Sequence, residues 1–95
     1  MEQTQDTAAH SMREAREQRQ AIISALYQQR RLHPGQPGIT LADLEQMLKV
    51  SKAELEFSLW YLTEGVFVKR TDNGTHSITL KGVDLAEDFI DRLTV

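Results

Sequence analysis

Cysteine is absent from this chain of 95 residues, and so is any long hydrophobic run. Without cysteine there can be no disulfide and no thiolate metal site. Without about 18 consecutive apolar residues there is no signal for a membrane span. The opening segment MEQTQDTAAH also lacks a hydrophobic signal region, so nothing in it directs export. These absences predict a cytoplasmic protein with no membrane partner.

A basic balance is missing as well, since 11 Lys and Arg stand against 14 Asp and Glu and the net charge is −3. Nucleic-acid binding would therefore depend on local basic patches rather than on the charge of the whole chain. His10, His33 and His76 are scattered without the spacing of metal ligands. No nucleophile is paired with a base, and the acidic side chains occupy solvated helix positions. The sequence thus predicts no enzyme activity, no metal, no cofactor and no small-molecule site.

The composition is that of one small domain, with a hydrophobic content of 40% and a charged content of 26%. Residues 1–10 mix polar types without periodicity and are predicted to be a disordered tail, which leaves residues 11–95 as the domain. The capping-box pattern Ser11-Met12-Arg13-Glu14 predicts the start of a first helix. His33-Pro34 is expected to end that helix after about Arg31, because proline disfavours helical geometry in the preceding residue.

Three later helix starts share one local pattern. Thr40, Ser51 and Thr79 can each accept a backbone N–H from the first turn, and an apolar residue precedes each of them. They predict helices from Leu41 to about Lys49, from Ser51 to Glu64 and from Leu80 to about Leu93. The first of these is expected to bury Leu41, Leu44, Met47 and Leu48. The closing helix is expected to bury Val83, Ala86, Phe89, Ile90 and Leu93.

The helix from Ser51 to Glu64 is the centre of the predicted fold. Its helical spacing places Leu55, Ser58, Leu59 and Leu62 on one buried face. The opposite face carries Ala53, Phe57, Trp60 and Glu64, with Glu56 and Tyr61 on the flanks. Gly65 is expected to end this helix in the left-handed conformation.

A β-hairpin is predicted to follow, with strands from Val66 to Arg70 and from Thr75 to Ile78. A two-residue Asn-Gly loop would place Ile78 opposite Lys69, on the wrong face of the hairpin. A three-residue loop with Gly74 in the left-handed region instead joins Ile78 to Val68, so that two core residues meet. The sequence therefore favours a type I turn with a glycine bulge.

Three motifs carry a resemblance to a known superfamily: ITLADL from Ile39, LWYLTEGVFVKR from Leu59 and NGTHSITLKG from Asn73. Together with the order of the elements, a short strand near Ile39 included, they resemble the winged helix-turn-helix proteins of bacteria. The resemblance implies an α+β fold with a three-helix core, a small β-hairpin wing and a C-terminal helix. It also implies DNA binding in transcriptional control, with the helix Ser51–Glu64 in the major groove and the wing on the backbone.

Carried onto this sequence, the resemblance makes duplex DNA the expected partner. The candidate DNA-binding residues are Lys49, Lys52, Ala53, Glu56, Phe57, Trp60, Lys69, Arg70 and His76. Phe57, Trp60 and Tyr61 also form an aromatic cluster of the kind found in protein interfaces. It is open whether the chain itself, a second copy or a foreign protein covers them.

The alternative function is a protein-interaction module that uses this aromatic face and does not read DNA sequence. The acidic net charge and Glu56 favour it, because a groove lined by phosphates repels a carboxylate. A homodimer is expected in either case. The candidate partner or dimer surface comprises Phe57, Trp60, Tyr61, Phe89, Ile90 and Leu93.

Overall fold

The computed structural model describes the backbone of residues 2–94 and the side chains of residues 11–89. Over this range the chain forms four helices and one antiparallel hairpin, which confirms the predicted α+β class and element order. The helices are α1 (Glu2–Leu32), α2 (Leu41–Leu48), α3 (Lys52–Glu64) and α4 (Leu80–Thr94), and the strands are β1 (Val68–Arg70) and β2 (His76–Ile78). In the described part of the chain, no helix has the length and apolar character needed to cross a membrane.

All three predicted N-caps are formed. The Thr40 hydroxyl accepts the Asp43 N–H at 3.1 Å, and the Ser51 hydroxyl accepts the Glu54 N–H at 3.4 Å. The Thr79 hydroxyl accepts the Gly82 N–H at 3.1 Å. Each cap satisfies a backbone donor that has no partner within its own helix, which is why these boundaries could be found from local sequence.

The end of α3 differs from the prediction. Gly65 has right-handed backbone angles, and Val66 has a φ of 65° instead. The Val66 N–H bonds to the Thr63 carbonyl at 3.0 Å and the Phe67 N–H to the Leu62 carbonyl at 2.9 Å, the two bonds of a Schellman motif. A Cβ on residue 65 would lie 2.7 Å from the Phe67 ring, so the glycine provides room for that ring. The prediction of a left-handed Gly65 was wrong by one residue.

The hairpin has the predicted register, with Val68 opposite Ile78 and Arg70 opposite His76. The Gly74 N–H donates to the Thr71 carbonyl at 3.0 Å and Gly74 has a φ of 83°, as a type I turn with a glycine bulge requires. Both strands are shorter than predicted, because residues 66 and 67 belong to the turn after α3 and Thr75 belongs to the hairpin loop. Ile39 adds a single bridge to His76, with both backbone bonds at 2.8 Å, which confirms the short strand there.

One core joins α1, α2, α3, the hairpin and α4. It contains Ile22, Ile23, Leu26, Ile39, Leu44, Leu55, Leu59, Leu62, Val68, Ile78 and Ala86.

Two expectations were wrong. Met47 is 55% exposed rather than buried. The helix α1 begins at Glu2, so Ser11 lies inside it rather than at its start; the division into a tail and a domain stays a prediction.

The start of α4 is fastened to the turn after α3. The Thr79 hydroxyl donates to the Val66 carbonyl, and the Thr79 N–H donates to the Phe67 carbonyl at 3.1 Å. Gly82 packs against the same carbonyl so closely that a Cβ there would lie 2.2 Å from its oxygen. This contact fixes the base of the hairpin and therefore its position beside α3.

Candidate nucleic-acid interface

The helix α3 is held by one face and open on the other. Leu55, Ser58, Leu59 and Leu62 are buried, as their spacing predicts. The opposite face, which we call the α3 crest, consists of Ala53, Phe57, Trp60 and Glu64. The rings of Phe57 and Trp60 are 56% and 57% exposed and contact each other with centroids 5.9 Å apart. No other segment of residues 11–89 buries these two rings.

The hairpin places its charged side chains on two faces. Successive strand residues point to opposite sides, so Arg70 and His76 share a face with the buried pair Val68 and Ile78. That face is directed at α2 and α3. Lys69 lies on the other face, opposite Ser77. Only Arg70 and His76 can therefore act together with α3.

A shallow open groove runs between α3 and the hairpin, and we call it the wing groove. Residues from three elements form its walls: Lys52, Glu56, Leu59, Trp60, Thr63 and Glu64 from α3, Arg70, Gly74 and His76 from the hairpin, and Leu41 from α2. Five of the nine candidate DNA-binding residues thus meet in one place. Lys52 and Arg70 have no carboxylate at salt-bridge distance among residues 11–89.

His76 is the polar residue at the floor of the wing groove. Its Nδ1 is buried without a hydrogen-bond partner among the described residues. Burial and, secondarily, the positive charge of Arg70 lower the pKa of His76 from its ordinary value of 6.5. The ring is therefore neutral at pH 7, and His76 adds no positive charge to the groove.

The remaining candidates lie elsewhere. Lys49 borders a depression against α1 together with Glu14, Glu17 and Glu54. Ala53 and Phe57 border another depression against α1, next to Ala15 and Gln18. The structure therefore divides the candidate set between the wing side of α3 and its α1 side.

Contacts with α1 on that second side were not predicted. The guanidinium of Arg19 lies 4.0 Å from the centre of the Tyr61 ring, which is 46% exposed. The buried Ser58 hydroxyl donates to the Gln18 side-chain oxygen at 3.4 Å, and the Gln18 amide donates to Glu54 at 3.4 Å. In the sequence, Arg19 has the same helical spacing as the buried residues of α1. That spacing was the one signal from which its contact with α3 could have been predicted.

Of the three α4 residues in the predicted dimer surface, the structure describes the side chain of one. Phe89 is partly buried against the core of its own chain. The side chains of Ile90 and Leu93, the other α4 residues of the predicted dimer surface, lie outside the described range. Among residues 11–89, no group of three or more His, Asp or Glu side chains could hold a metal ion.

No protein-family model matches the chain. No curated protein matches it either. Among solved structures, the chain is similar to a double mutant of Lactococcus lactis ZitR in its apo form, with a TM-score of 0.68. The sequence identity is 23%, and the match covers 98% of this chain and 69% of the ZitR chain. The fold that the two share is the winged helix, so this chain is an α+β winged-helix protein.

Proposed function

We propose that this chain is a DNA-binding protein of the winged-helix type that acts in transcriptional regulation in the cytoplasm of a bacterium. The observation that carries the proposal is the wing groove, in which Lys52 from α3 and Arg70 from the hairpin lie on one surface without acidic partners among residues 11–89. Two cations on a helix and a β-hairpin that share one groove are suited to contact phosphates of the DNA backbone. The winged-helix fold that the chain shares with ZitR supports the same assignment.

The proposed contacts are mainly with the DNA backbone. Lys69 adds a positive charge on the other face of the hairpin, and Lys49 lies near the turn between α2 and α3. Base reading would fall to the α3 crest and its flanks, where Glu56 and Glu64 offer acceptors but repel phosphates. We therefore expect measurable affinity at low salt and modest discrimination between sequences.

Fluorescence anisotropy on a labelled duplex, titrated over a series of salt concentrations, tests the proposal. We expect the affinity to fall steeply with salt, and Arg70→Ala to reduce both the affinity and the slope of log K against log salt by about one phosphate contact. Lys81→Ala is the matched control: it also removes one positive charge, but Lys81 lies over the Phe67 ring at the start of α4. No salt-dependent binding by the wild type would refute the proposal.

A second function is favoured by a different observation. Phe57 and Trp60 keep more than half of their surface exposed. Aromatic residues of this kind contribute much of the binding energy in protein interfaces. We propose as the alternative a protein-interaction module that uses these rings. Trp60→Ala distinguishes the two: it would abolish partner capture in the alternative and leave the salt-dependent DNA affinity of the basic residues largely intact.

A further inference from the structure

The α3 crest, together with Glu56 on its flank, presents an unusual combination of side chains for a water-facing helix surface. Glu56, Trp60 and Glu64 follow each other at intervals of four residues and so form one row. Trp60 is 57% exposed, and neither carboxylate has a hydrogen-bond or ion-pair partner among residues 11–89. The row is an apolar anchor between two unpaired negative charges.

The amino-terminal part of α1 presents the complementary combination. We call residues 11–17 the α1 front. Met12 is 67% exposed there, and Arg13 and Arg16 beside it have no side-chain partner among residues 11–89. Met12 and Arg16 are four residues apart and share one side of the helix. This strip is an apolar anchor beside two unpaired positive charges. The two glutamates of the α1 front, Glu14 and Glu17, border the depression towards the turn between α2 and α3 instead.

The α1 front has little of the packing that normally stabilises a helix. Of residues 11–17, all but Ala15 are exposed, and the core begins farther along, at Ile22. A helix segment in water gains most of its stability from an apolar face packed against other elements. The α1 front borders α3 and the α2–α3 turn of its own chain at Ser11, Glu14, Ala15 and Glu17. Met12, Arg13 and Arg16 line neither depression, so their side of the helix is open to a contact with a second copy.

From these observations we infer that the α1 front of one copy of this chain docks on the α3 crest of a second copy. In a two-fold arrangement both contacts form at once, because each copy supplies one strip and one row. Met12 then packs against Trp60, while Arg13 and Arg16 face Glu56 and Glu64. Aromatic rings, methionine and arginine are the residues that protein interfaces favour.

One consequence rests on the proposed function. Trp60, Glu56 and Glu64 also line the wing groove, so a second copy on the crest covers the surface that would face DNA. Self-association and DNA binding then exclude each other.

Sedimentation equilibrium over about 1 μM to about 1 mM protein tests the contact. We expect a dimer in the wild type and a dissociation constant raised at least tenfold by Trp60→Ala. Met47→Ala is the control, since it truncates an equally exposed apolar side chain on α2. A wild type that stays monomeric throughout this range overturns the inference, and so does a Trp60→Ala variant that dimerises as well as Met47→Ala.

Charge reversal identifies the two sides of the contact. The double variants Arg13→Glu/Arg16→Glu and Glu56→Arg/Glu64→Arg should each be monomeric alone, because like charges then face each other. Mixed in equal amounts they should form a heterodimer, in which both contacts again join opposite charges. A mixture that remains monomeric overturns the inference, and thermal unfolding of each variant verifies that it is folded. DNA binding, followed separately by anisotropy, can fail without affecting this result.

Discussion

Gly82 is the position at which a single methyl group should change the stability of the fold most clearly. In Gly82→Ala the new Cβ would lie 2.2 Å from the Phe67 carbonyl oxygen and 2.6 Å from a side-chain carbon of Ile78. The first of these atoms is backbone and cannot rotate away, so α4 must retreat from the turn after α3. That movement lengthens the bond from the Thr79 N–H to the same carbonyl, now 3.1 Å.

The size of the effect follows from three contributions. Overpacking against Ile78 costs about 1–3 kcal/mol, and the weakened hydrogen bond about 1 kcal/mol. Alanine returns about 1 kcal/mol through its higher helix propensity. The free energy of unfolding should therefore fall by about 1–3 kcal/mol, which lowers Tm by roughly 5–15 °C in a domain of this size.

Thermal and urea unfolding of the wild type, Gly82→Ala and Gly35→Ala measure this effect. Gly35→Ala is the control, because a Cβ at residue 35 would meet nothing within 4 Å. It should leave stability unchanged or raise it by about 0.4–1 kcal/mol. If Gly82→Ala is as stable as the wild type, the close approach of α4 to the turn is absent and the base of the hairpin is not anchored as described.

Two further predictions concern the same region. Thr79→Ala loses both the cap of α4 and the bond to the Val66 carbonyl, so unfolding experiments should give a loss of about 1–2 kcal/mol; Thr79→Ser keeps both bonds and should recover most of it, and no recovery would contradict the cap. Burial and Arg70 lower the pKa of His76 in the folded protein. As the pH falls below about 6.5, His76 is therefore protonated in the unfolded chain before it is protonated in the folded one. The free energy of unfolding should decrease over this range, until the folded protein is protonated too. Urea unfolding at about pH 7.5 and about pH 5.5 should show a smaller decrease in His76→Gln than in the wild type. NMR titration should show a higher His76 pKa in Arg70→Ala but not in Lys69→Ala, whose side chain lies on the other face; equal values in both variants would contradict the role of Arg70.

The parts of the fold that depend on short-range chemistry could be predicted from the sequence. Thr40, Ser51 and Thr79 cap their helices because each side chain needs only a backbone N–H a few residues away. The hairpin register follows from the alternation of Val68 and Ile78 with polar residues together with the demand of Gly74 for the left-handed region. In both cases local preference and the buried face lead to the same conformation.

The errors occur where a tertiary contact overrides the local preference. Sequence alone assigns the left-handed position to Gly65, since glycine adopts it without strain. In the folded chain the Phe67 ring occupies the space beside residue 65, where only a residue without a side chain fits. Gly65 meets that demand, and Val66 takes the left-handed angles. Met47 has the helical spacing of a core residue, yet no element within residues 11–89 covers that side of α2. Spacing cannot report what lies opposite a helix.

The candidate site was predicted in part. The sequence named Lys52, Glu56, Trp60, Arg70 and His76, which line one groove, but it could not separate them from Lys49, Ala53 and Phe57, which face α1. The separation depends on the angle at which α1 crosses α3, and long-range packing sets that angle. The lowered pKa of His76 could not be predicted from the sequence either, because it arises mainly from burial.

The position of Trp60 connects the two proposals. It belongs to the crest, where its ring meets Phe57, and it also lines the wing groove beside Arg70. A partner helix on the crest would bury the ring and bring Arg13 and Arg16 to the two glutamates, whereas DNA would have to bring phosphates past those same carboxylates. The glutamates therefore repel DNA and attract the partner helix. If both proposals hold, the fraction of chain bound to DNA should fall as protein concentration rises above the dimer dissociation constant, and Trp60→Ala should remove that decline.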